Sequence, residues 1–228
     1  MNPTRNKDFM NKPLVIDYYS DILCVWAWIA QRRIDELKQS FGDALEFRYR
    51  YVDIFGDTQA KMAGLWQQKG GYAGFAEHVQ HSALDYENAL INPKIWTQVR
   101  PATSANAHLI LKAIELVYDQ QTSIDSALML REAFFVDACD IGKLDILYDL
   151  VAAKGLNADL LQASIVDGSA IAALMNDYQI CKLQTIKGSP SYVIDGGRQV
   201  LYGNVGYRVL HANIEELAKN PPEEASWC

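Results

Sequence analysis

The chain reads as an α/β protein in which a small sheet layer is interrupted by a long helical block. Three observations predict this. Short β-branched and aromatic runs occur only towards the two ends of the 228 residues, and helical periodicity dominates everything between them. In addition, the first strand, helix and strand cannot close a core on their own, so an inserted block fits the order better than two domains in tandem.

The first run, Leu14-Val15-Ile16-Asp17-Tyr18-Tyr19, is short and apolar, as a buried strand should be. Ser20-Asp21 breaks it. Trp26, Ile29, Ala30, Ile34 and Leu37 then recur at helical spacing among Gln31, Arg32, Asp35 and Glu36, predicting an amphipathic helix that ends near Phe41-Gly42. Over 45–52, Glu46, Arg48 and Arg50 alternate with Leu45, Phe47, Tyr49 and Tyr51, predicting a strand with one wet face. Helical patterns follow at 62–68, 75–83, 105–118, 126–138, 144–153, 158–165 and 170–181. Strand chemistry returns at 191–195, where Gly196-Gly197 suits a tight hairpin turn into 198–202. A closing helix carries Tyr207, Leu210, Ile214 and Leu217 on one face.

Composition excludes several classes of function. A formal charge of −7 and the lack of a basic tract argue against nucleic acid as a partner. No run of about twenty apolar residues predicts a membrane span. The polar start lacks the apolar region of a secretory signal, so a cytoplasmic location is expected. Segments 1–13 and 220–228 are expected to be loose. Cys24, Cys139, Cys181 and Cys228 are widely scattered. That spacing is neither a disulfide framework nor a zinc signature, so no metal centre is expected and four thiols are the default.

Cys24 falls between the first strand and the body of the first helix. Two readings stand from position alone. The free N–H groups of a helix start can stabilise a thiolate, predicting a pKa below the ordinary thiol value of about 8.5. Alternatively, the cysteine is a small packing residue.

The segment Ser20-Asp21-Ile22-Leu23-Cys24-Val25-Trp26-Ala27, set between strand and amphipathic helix, resembles the active-site segment of the DsbA family. Gly188-Ser189-Pro190-Ser191-Tyr192-Val193 is similar to that family's cis-proline loop, and the intervening helical block is also a family trait. The resemblance covers 14–217. It implies a thioredoxin-like fold with a large inserted all-helical domain: residues 14–56 and 184–219 as one discontinuous thioredoxin-like domain, and 57–183 as the insertion. It also implies a cis Ser189–Pro190 bond facing Cys24, with the Ser189 backbone able to pair with an extended peptide or glutathione.

The chain departs from the family at Ala27, where the oxidoreductases carry a second cysteine. A local disulfide is therefore impossible. The resemblance then implies a monothiol oxidoreductase: Cys24 attacks disulfide or glutathione-mixed-disulfide substrates and a second thiol resolves the adduct. Two alternatives remain open. Kappa-class glutathione transferases and 2-hydroxychromene-2-carboxylate isomerases share this fold, so a glutathione-dependent isomerase or transferase acting on a small aromatic or electrophilic compound is one. Asn204 and Arg208 would then be glutathione-binding candidates, against a plain capping role at the last helix. The other alternative is a non-catalytic peptide-binding module. No tightly bound cofactor is expected; glutathione is the expected cosubstrate, thiol or disulfide peptides and proteins are the partners, and a homodimer is compatible.

Other residues carry paired readings. Trp26 would shape an apolar rim for substrate or, with Trp28, fill the core. Asp21 would cap the first helix and oppose the helix end's effect on Cys24. His78 and His81, beside Glu77, share a solvated helix face rather than a metal site. His108 would line a cleft above Cys24 or be an ordinary hydrogen-bonded histidine. Tyr18, Tyr49 and Tyr51 read as packing. Cys139 and Cys181 are candidates to resolve a mixed disulfide at Cys24.

Overall fold

The structure, a computed structural model, describes residues 12–219. Segments 1–11 and 220–228, expected to be loose, lie outside the described residues, and Cys228 with them.

The elements follow in the order β1 (Leu14–Ser20), α1 (Val25–Phe41), β2 (Leu45–Tyr51), α2 (Thr58–Ala63), α3 (Gly71–Ala83), α4 (Ala105–Val117), α5 (Gln120–Phe135), α6 (Leu144–Ala153), α7 (Ala158–Val166), α8 (Ser169–Leu183), β3 (Ser191–Ile194), β4 (Gln199–Tyr202) and α9 (Tyr207–Lys219). The four strands form one sheet in the order β2-β1-β3-β4. β1 and β2 run parallel, as a helical crossover through α1 requires, and β3 joins β1 antiparallel with β4 outside it. Helices α2 to α8 all lie between β2 and β3 in the chain, so the sheet is assembled from its two ends around a helical block. This is the thioredoxin-like α/β fold with a helical insertion that the sequence predicts.

Alternation holds on β2: Leu45, Phe47, Tyr49 and Tyr51 are buried, whereas Glu46, Arg48 and Arg50 are not. The outer edge of β2 is covered from the helical block. Gln120 Nε2 donates to Phe47 O at 2.7 Å, and Asp177 Oδ2 accepts from Tyr51 N at 3.4 Å. Asp177 also pairs with Arg50 on β2 and Lys112 on α4, tying two insertion helices to the sheet.

Several helix boundaries differ from the periodicity reading: α2 ends at Ala63 rather than 68, α3 starts at Gly71 rather than 75 and α5 ends at Phe135 rather than 138. α5 starts at Gln120 rather than 126, because Asp119 caps it by accepting from Thr122 N at 2.7 Å. α2 starts at Thr58 rather than 62, capped by Asp57 through Ala60 N. In both cases a polar first turn hides the start from a search for apolar repeats. Gly74 on α3 allows a close approach: a Cβ there would sit 1.7 Å from the Lys69 carbonyl oxygen. The β3–β4 turn is as predicted, with Gly196 and Gly197 at φ 66° and 100°, preceded by Asp195 at 49°. Among the described residues no single helix is long and apolar enough to cross a membrane.

Candidate functional site

β1 ends at Ser20, and residues 21–24 lead into α1. Each of these four backbone N–H groups has a partner, and the partners come from different parts of the chain. Asp21 N donates to Ser189 Oγ at 2.9 Å, Ile22 N to His108 Nε2 at 3.0 Å, Leu23 N to Asp21 Oδ1 at 3.0 Å and Cys24 N to Asp21 O at 3.1 Å. The approach to Cys24 is therefore fixed by the 188–190 loop, by the helical block and by its own aspartate.

Cys24 is the N-cap residue of α1, in extended conformation (φ −79°, ψ 117°). Its carbonyl accepts from Ala27 N and Trp28 N, both at 3.1 Å, so the sulfur stands at the helix mouth as the sequence predicts. The Ser189–Pro190 bond is cis, and Cys24 Sγ donates to Ser189 O at 3.2 Å. The thiol and the proline loop do face each other.

The electrostatic expectation is corrected. Cys24 is only 6% exposed, and burial pushes its thiol pKa above the ordinary value rather than below it. A hydrogen bond with Ser189 and then the amides of Ala27 and Trp26 at the helix start pull the other way, and Asp21 adds to the upward shift. Desolvation wins because little of the residue remains in contact with solvent.

Asp21 does not cap α1. Its carboxylate is fully buried and accepts from Leu23 N, from Phe55 N at 2.8 Å and from Ser104 Oγ at 2.8 Å. It thereby joins the Cys24 loop to the segment after β2 and to the start of α4. Burial raises its pKa to about 6. His108 on α4 is fully buried and hydrogen-bonded rather than open to a cleft. Its Nε2 accepts from Ile22 N, its ring stacks on Tyr51 at 4.7 Å, and Nδ1 lies 3.4 Å from the Tyr178 hydroxyl. Burial, with a smaller contribution from Arg131, lowers its pKa to about 3.

The two tryptophans divide. Trp28 is core, stacked on Phe135 and donating to Leu90 O at 3.1 Å, whereas Trp26 beside Cys24 stays partly exposed. Ser189 borders an open groove of about 680 Å³ with Thr185, Lys187, Gly188, Tyr202 and Gly203. Asn204 is engaged within the protein: its Oδ1 accepts from Arg33 and its Nδ2 donates to Tyr86. Arg208 is exposed in the first turn of α9. Cys181 donates to Ile186 O and packs with Tyr19, Val52 and Val193, in a small cluster separate from the core that contains Cys24. Cys139 follows α5 and is partly exposed. His78 packs on Trp66 at 5.1 Å.

Sequence reasoning missed Ser104 and Arg131. Arg131 had a signal, since it shares a buried stripe with Ile124, Ala127 and Phe134 at spacings of three and four. Ser104 had none, because it acts through the fold.

A sheet entered from both ends, with a cysteine at a helix mouth opposite a cis-proline, defines a thioredoxin-fold protein of the inserted-helix class. The chain belongs to the DSBA-like thioredoxin domain family, whose model matches residues 15–215. It is 24% identical over 228 residues to the ClpXP adapter protein SpxH of Halalkalibacterium halodurans, covering 95% of this chain and 72% of that protein. Its fold is similar to that of a candidate protein disulfide isomerase from Nitrosomonas europaea (TM-score 0.73, 15% identity, 90% and 97% of the two chains). It is also similar to the cytosolic disulfide reductase DsbM from Pseudomonas aeruginosa (TM-score 0.67, 18% identity, 89% and 99%), which has also been solved with glutathione.

Proposed function

We propose that the protein is a monothiol thiol–disulfide exchange enzyme acting through Cys24. The observation that carries this is the 3.2 Å contact between Cys24 Sγ and the Ser189 carbonyl, which sets the sulfur against the cis-proline loop and beside an open groove. The Cys24 thiolate attacks one sulfur of a disulfide, forming a mixed disulfide and expelling the other sulfur as thiolate. A glutathione thiolate then attacks the substrate sulfur of the adduct, restoring the Cys24 thiolate and leaving a glutathione–substrate disulfide. Ala27 supplies no local resolving thiol, so the second thiol comes from solution. The Ser189–Pro190 backbone and the exposed edge of Trp26 form the substrate side of the site. Glutathione as cosubstrate and a cytoplasmic setting draw support from DsbM, described as cytosolic and solved with glutathione.

Incubation with oxidised glutathione followed by peptide mapping tests the reading. A glutathione adduct confined to Cys24, released by reduced glutathione and lost in Cys24→Ser, is the expected result. An unmodified Cys24 under conditions that label Cys139 would overturn it.

A second reading, a peptide-binding module without turnover, is favoured by the burial of Cys24 and by the adapter role in the name of SpxH. Equal capture of one defined peptide by the protein and by Cys24→Ala, with no glutathione adduct, would select it. The isomerase or transferase reading draws less support, because the Asn204 amide is already committed to Arg33 and Tyr86.

A further inference from the structure

Arg131 on α5 is fully buried, and only its Nη2 meets a protein acceptor, Ser20 Oγ at 2.8 Å. Its Nε and Nη1 have no partner among the described residues, and neither do the hydroxyls of Tyr18 and Tyr192; the Tyr49 and Tyr51 hydroxyls interact only with Gln31, whose buried Oε1 has no other partner, and with Ser123. These groups are not scattered. Tyr18 lies opposite Tyr49 on one side and Tyr192 on the other, and Ser20 lies opposite Tyr51. Side chains at those positions project from one sheet face. The rings of Tyr49, Tyr18 and Tyr192 pack in a row with centroids 5.0 and 5.1 Å apart, and the guanidinium carbon of Arg131 stands 6.0 Å from the Tyr49 centroid. The positive charge of Arg131 acts on all four phenols.

The nearby carboxylates are engaged elsewhere. Asp21 accepts from two amides and Ser104, and Asp177 pairs with Arg50 and Lys112. The phenols do not supply the counter-charge either, since burial pushes each of them up. A buried guanidinium with unused N–H donors is costly unless it is paired. Water would satisfy the donors and leave the charge unbalanced.

We propose that Arg131 and the phenols of Tyr18, Tyr49, Tyr51 and Tyr192 form a buried binding site for one small monovalent anion of the halide class. The guanidinium supplies the single positive charge, and the phenolic O–H groups supply neutral donors around it. The site lies between the sheet and α5, so the anion bridges the two halves of the fold beneath the strand that leads to Cys24. This inference does not depend on what Cys24 does.

Crystals soaked in bromide test it directly. The expected result is anomalous density within about 3.5 Å of Arg131 Nη1 or Nε and of two or more phenol oxygens. In solution, chloride or bromide should raise the melting temperature by about 2–4 °C over gluconate at equal ionic strength. That difference should vanish in Arg131→Met and shrink in Tyr49→Phe. The arginine variant removes the charge with an apolar isostere, a change that buried ion sites often tolerate; should it not fold, the soak and the phenylalanine variant decide. Ordered water alone at the site, or a halide effect unchanged in the folded variants, would overturn the proposal.

Discussion

Cys24 Sγ and the carbonyl oxygen of Ser189 meet at 3.2 Å across 165 residues of chain. The same serine uses its hydroxyl to hold Asp21 N, three residues before the cysteine. One residue of the late loop thus fixes both the thiol and the path leading to it.

Reactivity of Cys24 should follow that burial. Its rate of alkylation is expected to rise with pH through and beyond the ordinary thiol range, because the folded protein holds the neutral thiol. Iodoacetamide kinetics on a variant lacking Cys139, Cys181 and Cys228 provide the check. A plateau already reached at neutral pH would contradict the burial argument.

Ser189→Ala should cost about 1–3 kcal/mol, since it leaves the Asp21 N–H without an acceptor in a partly buried contact. Chemical denaturation measures the loss. The Cys24–Ser189 carbonyl contact survives this change, so adduct formation should persist.

Ala27→Cys should restore what the helix lacks. Ala27 is one turn from Cys24, with its amide on the Cys24 carbonyl, so the two sulfurs would be placed for a local disulfide. Mass spectrometry after oxidation should show the loss of two hydrogens. Persistence of both thiols under oxidised glutathione would argue that the helix mouth is too tightly packed.

Acid should act on His108 and Asp21 in opposite directions. His108 has a folded pKa near 3, so the folded protein binds fewer protons than the unfolded chain, and stability is lost as pH falls from about 6.5. Asp21 has a folded pKa near 6, so the folded protein binds more, and stability is gained as pH falls through 6 towards 4. The two offset each other over that window. His108→Gln, which keeps an acceptor for Ile22 N, should gain on the order of 3 kcal/mol relative to the parent between pH 6.5 and 4. Asp21→Asn should lose a comparable amount. Parallel denaturation curves for all three proteins across this range would refute the assignment.

Gly74→Ala should destabilise α3 by about 1–3 kcal/mol, because the new methyl meets backbone rather than a movable side chain. Thermal unfolding would show it.

Much of this architecture was legible in the sequence, and the exceptions share a cause. β1, α1 and the β3–β4 hairpin follow from apolar periodicity and Gly196-Gly197, and Cys24 and Pro190 from recognisable segments. The starts of α2 and α5 escaped because Asp57 and Asp119 open them with polar turns. The sign of the Cys24 shift escaped because helix position is local whereas desolvation depends on what packs over the sulfur from elsewhere. Asp21 and His108 were noticed, but their tasks depend on Phe55, Ser104 and Ile22, which only the folded chain brings together.

The cover that Gln120 and Asp177 place over β2 has a consequence for assembly. Two groups of that margin are taken by side chains, whereas among the described residues no strand pairs with the outer side of β4. Lateral recruitment of another chain is thereby favoured on the side that carries the groove and Tyr202. The helical block works as a stopper against runaway stacking, and a shortened form without it would be prone to aggregate.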